Sequence, residues 1–286
     1  MARPRCRHCK GNRGLDIAVP ISKSRMANIR NFTDLSGRVA VVIGGTSGLG
    51  RVLALGLAQA GAHVVATGRR ANLIAEIATE IEALGRRTLR KTVDVMKKDS
   101  MVAFCGEVLG SFSTIDILLN AAGRTIRKPT IEQSIEEWAG IVETNLTGMV
   151  VSCQVFHAAL KASGHGRIIN IASLSSFVSL RDVSAYAASK AGVLSLTKSL
   201  AIEWAPDNIN VNAIAPGVFH TDLNSAILDG TERGREFLIR TPLKRFGKPE
   251  ELIGAAVLLA SDAASYITGA CITVDGGSLC SGVNSI

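Results

Sequence analysis

Residues 39–60 read VAVVIGGTSGLGRVLALGLAQA, and this stretch decides the fold. Val39–Ile43 is an unbroken apolar run rich in β-branched residues, the pattern of a strand buried on both faces. Gly44-Gly45-Thr46-Ser47-Gly48-Leu49-Gly50 follows, dense in the residue that permits tight turns. From Leu49 to Ala60 apolar residues recur at helical spacing, and Gly61 stops the helix. Strand, glycine-rich turn and helix in that order gather backbone N–H groups and the positive end of a helix dipole at one spot. Such a spot suits a pyrophosphate, so the stretch predicts the opening of a dinucleotide-binding βαβ unit.

The same rhythm continues along the chain. Strands are expected at His63–Thr67, Thr88–Val93, Ile115–Leu119, Arg167–Ala172, Ile209–Ile214 and Ala270–Val274, with helices between them. One helix runs from Ala71 to Leu84, with Gly85 as its C-cap. Apolar strands alternating with helices imply a parallel sheet covered on both faces. The expectation is an α/β fold: one Rossmann domain over residues 34–286, with a doubly wound, seven-stranded parallel sheet. Between Pro216 and Pro249 the rhythm breaks into polar residues and short apolar patches. A substrate lid is expected there, over about 217–248, just past a strand's carboxyl end.

Composition narrows the function classes. The net charge is +8, but residues 1–30 hold eight basic side chains against one acid, a net +7, so the body is nearly neutral. A nucleic-acid-binding domain would carry its positive charge on a folded face, so that class is excluded for the body. No apolar run reaches the length of a membrane span, so no membrane partner is expected. Asp16 and Pro20 interrupt the only greasy stretch near the start, against a secretory signal. A transit peptide is also Arg-rich and acid-poor, but residues 1–33 read better as an unstructured basic extension, with Met26 as a natural first residue. Cys6 and Cys9 lack a second knuckle, and the other cysteines lack a framework spacing. No metal site is expected, and a reducing, cytoplasmic location is.

The chemistry is carried by Tyr186-Ala-Ala-Ser-Lys190, read with Ser173 thirteen residues upstream. Four residues apart on a helix, the phenol and the ammonium share one face. A phenol titrates near 10, and an adjacent cation lowers that value. A neighbouring hydroxyl can hold a substrate oxygen while the phenol exchanges a proton with it. At the end of the second expected strand stands Thr67-Gly68-Arg69-Arg70, with no acid. A carboxylate there would select NAD, whereas Arg69 offers a guanidinium for the extra phosphate of NADP. NADP(H) is therefore favoured, with NAD(H) as the other possibility.

Together these residues resemble the short-chain dehydrogenase/reductase family, over roughly residues 35–286. Gly44, Gly48 and Gly50 match its glycine motif, with Thr46, Ser47 and Leu49 in the same turn, although Ile43 stands where a threonine is frequent. Asn120, Ala121 and Gly123 match the motif after the fourth strand. Asp94, followed by Val95, matches the acid that contacts the adenine. Pro216, Gly217, Val218 and Thr221 match the segment near the nicotinamide carboxamide. The resemblance implies a catalytic set of Asn145, Ser173, Tyr186 and Lys190. In that set Tyr186 exchanges the proton and Ser173 orients the carbonyl or hydroxyl. Lys190 binds the nicotinamide ribose and lowers the phenol's pKa, and Asn145 holds a water.

Within the family the chain looks most like the sugar-acid branch, of the gluconate and 2-deoxygluconate type. Arg127 matches an arginine of that branch and Arg181 lies near another; either could pair with a carboxylate. The implied activity is interconversion of a secondary alcohol and a ketone, on a small-molecule substrate, by a homotetramer. The alternatives are a 3-oxoacyl-[acyl-carrier-protein] reductase, with Arg124, Arg127 and Lys128 as a basic patch, and a silent binding protein on the same fold.

Overall fold

β1 (Val39–Ile43) is buried at every position and forms the centre from which the chain winds outward. The computed structural model describes residues 32–221 and 225–282; the basic N-terminal segment through residue 31, with Cys6 and Cys9, lies outside them. From β1 the chain forms α1 (Gly48–Gln59), returns in β2 (His63–Thr67) and continues into α2 (Ala71–Ala83) and α3 (Lys98–Phe112). β3 (Ile117–Asn120), α4 (Ile135–Val142), α5 (Gly148–Ser163), β4 (Gly166–Ile171) and α6 (Ser184–Trp204) follow. β5 (Ile209–Pro216), α7 (Ser225–Leu228), α8 (Glu232–Arg240), α9 (Ile253–Ala260) and β6 (Cys271–Val274) complete the order.

All strand pairs are parallel, in the order β2-β1-β3-β4-β5-β6. Successive side chains of a strand face opposite sides, and both sides here are apolar. Val39, Val41 and Ile43 pack with Met101 and Phe104 of α3, Phe156 of α5 and Val193 of α6. Ala40 and Val42 pack on the other side with Leu53 and Leu57 of α1, Ile77 of α2 and Leu259 of α9. Each large apolar side chain so enclosed contributes roughly 1.5–3 kcal/mol. This is the doubly wound α/β architecture the sequence implies.

The sheet has six strands among the described residues, not seven. The expected strand at Thr88–Val93 runs beside β2 but pairs only through a bridge between Gly68 and Thr92. Polar side chains divert the ladder there. The backbone N–H of Arg87 donates to His63 Nδ1 at 3.1 Å, and the Lys91 carbonyl accepts from Thr67 Oγ1 at 2.6 Å. An edge segment has neighbours on one side only, so such diversions suffice to break it.

The Pro216–Pro249 stretch is also more ordered than its sequence suggests, since it contains α7 and α8. Thr231 Oγ1 caps α8 by accepting from Gly234 N at 3.0 Å. Helical periodicity is hidden by Gly234, where a Cβ would lie 1.9 Å from the Leu228 carbonyl oxygen. Residues 222–224 of the expected lid lie outside the described residues.

The order places a reversal of winding between β1 and β3. Helices leave on opposite sides of that point, so a crevice opens at the strands' carboxyl ends. No helix among the described residues is long and apolar enough to cross a membrane.

Candidate active site

The crevice at the winding reversal is a cleft of about 810 Å³. Its floor is the turn between β1 and α1. Gly44 has φ +78°, and a Cβ on it would lie 2.5 Å from Ala122 N; one on Gly50 would lie 2.2 Å from Gly44 O. The two glycines therefore let the turn, the β3 end and the first turn of α1 lie against each other, leaving the space above them open. Ser47, the N-cap residue of α1, makes no side-chain cap bond. The first N–H groups of the helix thus keep their capacity for an anion.

Gly44, Thr46, Ser47, Gly48, Leu49, Gly50, Arg69, Asp94, Val95, Ala121, Gly123, Tyr186 and Lys190, which the sequence proposes as cofactor contacts, all line this cleft. Arg70 lines it too, and its guanidinium donates to Ser47 Oγ at 3.0 Å. The glycine cradle, the uncapped helix and the arginine pair at the end of β2 fit a dinucleotide carrying an extra phosphate.

Asn120 does not line the cleft. It is buried, donating to Asn170 Oδ1 at 3.0 Å and accepting from Ser152 Oγ at 2.7 Å. Asn170 passes the chain on to Thr197 Oγ1 at 3.0 Å. An amide satisfied in this way ties β3 to β4, α5 and α6, and leaves Ala121–Gly123 to face the cleft. Pro216, Gly217, Val218 and Thr221 also lie off its wall. Gly217 N donates to Val274 O at 2.8 Å, and Val218 lines a separate cavity of about 100 Å³.

The candidate catalytic groups converge at the mouth of β4. Ser173, just beyond that strand, accepts from Ser175 N at 3.1 Å and is hydrogen-bonded to Tyr186. Ser176 Oγ donates to the Lys190 carbonyl at 2.7 Å, pinning this turn to α6. Lys190 lies one turn beyond Tyr186 on the same helix face. It is 3 % exposed, and its Nζ donates to Ile171 O at 2.6 Å. Asn145 sits in a π-helical turn, Glu143–Thr147, between α4 and α5. Its Oδ1 accepts from Arg124 N at 2.8 Å, and its Nδ2 donates to Arg124 O and to Ser189 Oγ. Both Asn145 amide protons are therefore committed to positioning the Arg124 backbone and α6. A water could reach only the remaining lone pair of Oδ1.

Burial pushes the Tyr186 phenol up, against the Ser173 hydrogen bond, which lowers it. Lys190 Nζ lies 5.8 Å from the ring centroid and is not among the groups that lower the phenol in the protein alone. In the protein alone, therefore, the phenol is not depressed by its lysine. Desolvation outweighs an ammonium that is itself buried and pulled down to about 8.

A family model described as enoyl-(acyl carrier protein) reductase matches residues 44–278. The chain belongs to the short-chain dehydrogenase/reductase family. A 2-dehydro-3-deoxy-D-gluconate 5-dehydrogenase from Escherichia coli is 42% identical over 246 residues, 85% of this chain and 96% of that protein. One from Pseudoalteromonas atlantica is 41% identical over the same shares. The structure of a gluconate 5-dehydrogenase from Burkholderia cenocepacia, in complex with NADP and tartrate, superposes with a TM-score of 0.85. It is 35% identical and covers 88% of this chain and 99% of its own.

The cleft extends beyond the motif positions. Arg70, Met96, Arg124, Thr125 and Thr144 line the cleft without having been singled out as cofactor contacts. Arg70 had a signal in its place beside Arg69; Thr144 and Met96 had none, because separate loops bring them together. Among the described residues no cluster of three His, Cys, Asp or Glu side chains could hold a metal ion.

Lys190 offers a test independent of turnover. Its pKa falls from 10.5 to about 8 on burial, so below 8 the folded protein encloses a charged ammonium. Between those values the unfolded chain binds more protons, and stability rises with pH. The penalty near neutrality is on the order of 3 kcal/mol. Lys190→Met removes it along with the Ile171 hydrogen bond, and should stabilise the protein by roughly 1–2 kcal/mol at neutral pH. That gain should shrink as the pH rises above 8. Denaturant unfolding across this range is the check, and a destabilised variant at neutral pH would make Lys190 a structural cation.

Proposed function

We propose that this short-chain dehydrogenase/reductase is an NADP(H)-dependent enzyme that interconverts a secondary alcohol and a ketone on a sugar acid of the gluconate type. The observation that carries the chemistry is the Tyr186–Ser173 hydrogen bond at the cleft mouth, with Lys190 one helical turn away. A nicotinamide cofactor bound in the cleft supplies or receives the hydride. The remaining work falls to the chain. Gly44–Gly50 and the α1 N-terminus hold the phosphates; Arg69 and Arg70 face the adenosine end. Ser173 Oγ holds the substrate oxygen within reach of Tyr186, whose hydroxyl gives or takes the proton. Lys190 holds the ribose, and Asn145 positions the backbone beside it.

In the reductive direction the raised phenol is an asset, because it is fully protonated at neutral pH and can donate. In the oxidative direction the phenolate must form, so the rate should climb through the alkaline range. The sugar-acid reading is supported by the names of the relatives and of the NADP complex. By position, residues 217–248 are proposed to be the substrate lid. Assembly as a cytoplasmic homotetramer is proposed from the family likeness. Exposed Ile135 on α4, Ile202 on α6 and Tyr266 before β6 suit the two interfaces this requires.

The deciding test is steady-state turnover with gluconate, 2-deoxygluconate, 2-dehydro-3-deoxygluconate and an acetoacetyl thioester, each with both cofactors. A sugar acid with NADP(H) is expected to give a kcat/KM at least about tenfold above the thioester. The reverse ranking would favour an acyl-carrier-protein reductase.

A further inference from the structure

One residue past Ser173, at Leu174, begins a second cavity of about 410 Å³ between the 178–181 loop and α8. Three cations line it, Arg181, Arg233 and Arg240, with Glu236 as its one carboxylate. Two of the cations already have partners. Arg240 Nε lies 3.2 Å from Glu236, and Arg181 Nε lies 3.7 Å from Asp182. Arg127, singled out from the sequence, also leans on Asp182 at 3.7 Å.

Arg233 differs. It is half-buried and makes no ion pair or hydrogen bond among the described residues. Its guanidinium stands 5.4 Å from the Phe237 ring centroid, one helical turn on. The ring covers the flat face of the group and leaves its N–H donors open. Burial first, and then the charge of Arg127, disfavour this cation, outweighing Asp182 and Glu236, which favour it without either coming within ion-pair distance. An incoming anion would relieve both, and a carboxylate matches the fork geometry in two parallel hydrogen bonds.

We propose that Arg233 anchors the carboxylate of the sugar-acid substrate. Stacked on Phe237 in the cavity that begins at Leu174, next in the chain to Ser173, it fixes which carbinol carbon reaches Tyr186. The assignment rests on the sugar-acid reading above and adds to it the residue that selects the acid over a neutral polyol. It moves that role from Arg127 and Arg181, which are drawn to Asp182, to a residue on α8.

The test compares wild type, Arg233→Leu, Arg233→Lys and Arg127→Leu. Each is assayed with NADP(H) against the preferred sugar acid and against the neutral polyol D-glucitol, as substrate or as competitive inhibitor. Arg233→Leu should raise KM for the acid roughly 30–100-fold, with kcat changed far less. Its handling of glucitol should stay within about threefold of wild type, which also reports correct folding, and Arg233→Lys should recover part of the loss. If wild type prefers the acid and Arg233→Leu keeps that preference, the anchor is wrong while the functional reading stands. Equal losses for acid and polyol, or a preference abolished by Arg127→Leu instead, also overturn the anchor. A wild type with no preference for the acid overturns the sugar-acid reading and the anchor together.

Discussion

Tyr186→Phe is expected to lower kcat at least about 10³-fold while leaving the Kd for NADP(H) within about threefold of wild type. The substitution deletes one oxygen. The ring still fills its half-buried place on α6, and Ser173 still accepts from Ser175 N. What disappears is the atom proposed to exchange a proton with the substrate oxygen, at an expected barrier cost of roughly 4 kcal/mol. Since burial raises the phenol, wild-type alcohol oxidation should accelerate as pH rises through the alkaline range, and the residual rate of the variant should lack that rise. Fluorescence titration with NADPH alongside steady-state kinetics separates binding from chemistry. Turnover within tenfold of wild type would remove Tyr186 from its role.

Arg69→Asp is the other large effect. Arg69 and Arg70 are both exposed at the end of β2, and no acid occupies the position that would bind ribose hydroxyls. Reversing the charge at 69 removes a phosphate partner and installs a repulsive one. NADP(H) kcat/KM should fall roughly 10²–10³-fold, with NAD(H) little changed or improved. Arg70→Ala should lose less, because Arg70 also donates to Ser47 Oγ over the glycine turn. Losses of equal size for the two cofactors would refute phosphate recognition by Arg69.

The parts legible in the sequence are those written in local terms. Val39–Ile43 must be buried on both faces, and Gly44 and Gly50 sit where a Cβ would collide with backbone. Tyr186 and Lys190 share a face because helical spacing puts them there. What escaped depends on neighbours distant in the chain. Thr88–Val93 has the composition of a strand, yet side chains of β2 take its ladder bonds. Asn120 carries a motif identity that points to the cofactor, yet Asn170 and Ser152 claim its amide. Arg127 carries a branch signal for a carboxylate partner, yet Asp182 lies 3.7 Å from it, whereas Arg233 carries no such signal and stacks on Phe237. The depression of Lys190 by burial was equally invisible, since no spacing rule reports how deeply a side chain is enclosed.

We propose direct hydride transfer between a nicotinamide held in the β1–β3 cleft and the carbinol carbon of a sugar acid at Tyr186. NADPH deuterated at the transferring C4 position, mixed with an oxo sugar acid and the enzyme, tests it in one measurement. Deuterium should appear on the newly formed carbinol carbon, at a rate that Tyr186→Phe abolishes. Loss of the label to water, or no consumption of the cofactor with any oxo sugar acid, would contradict it.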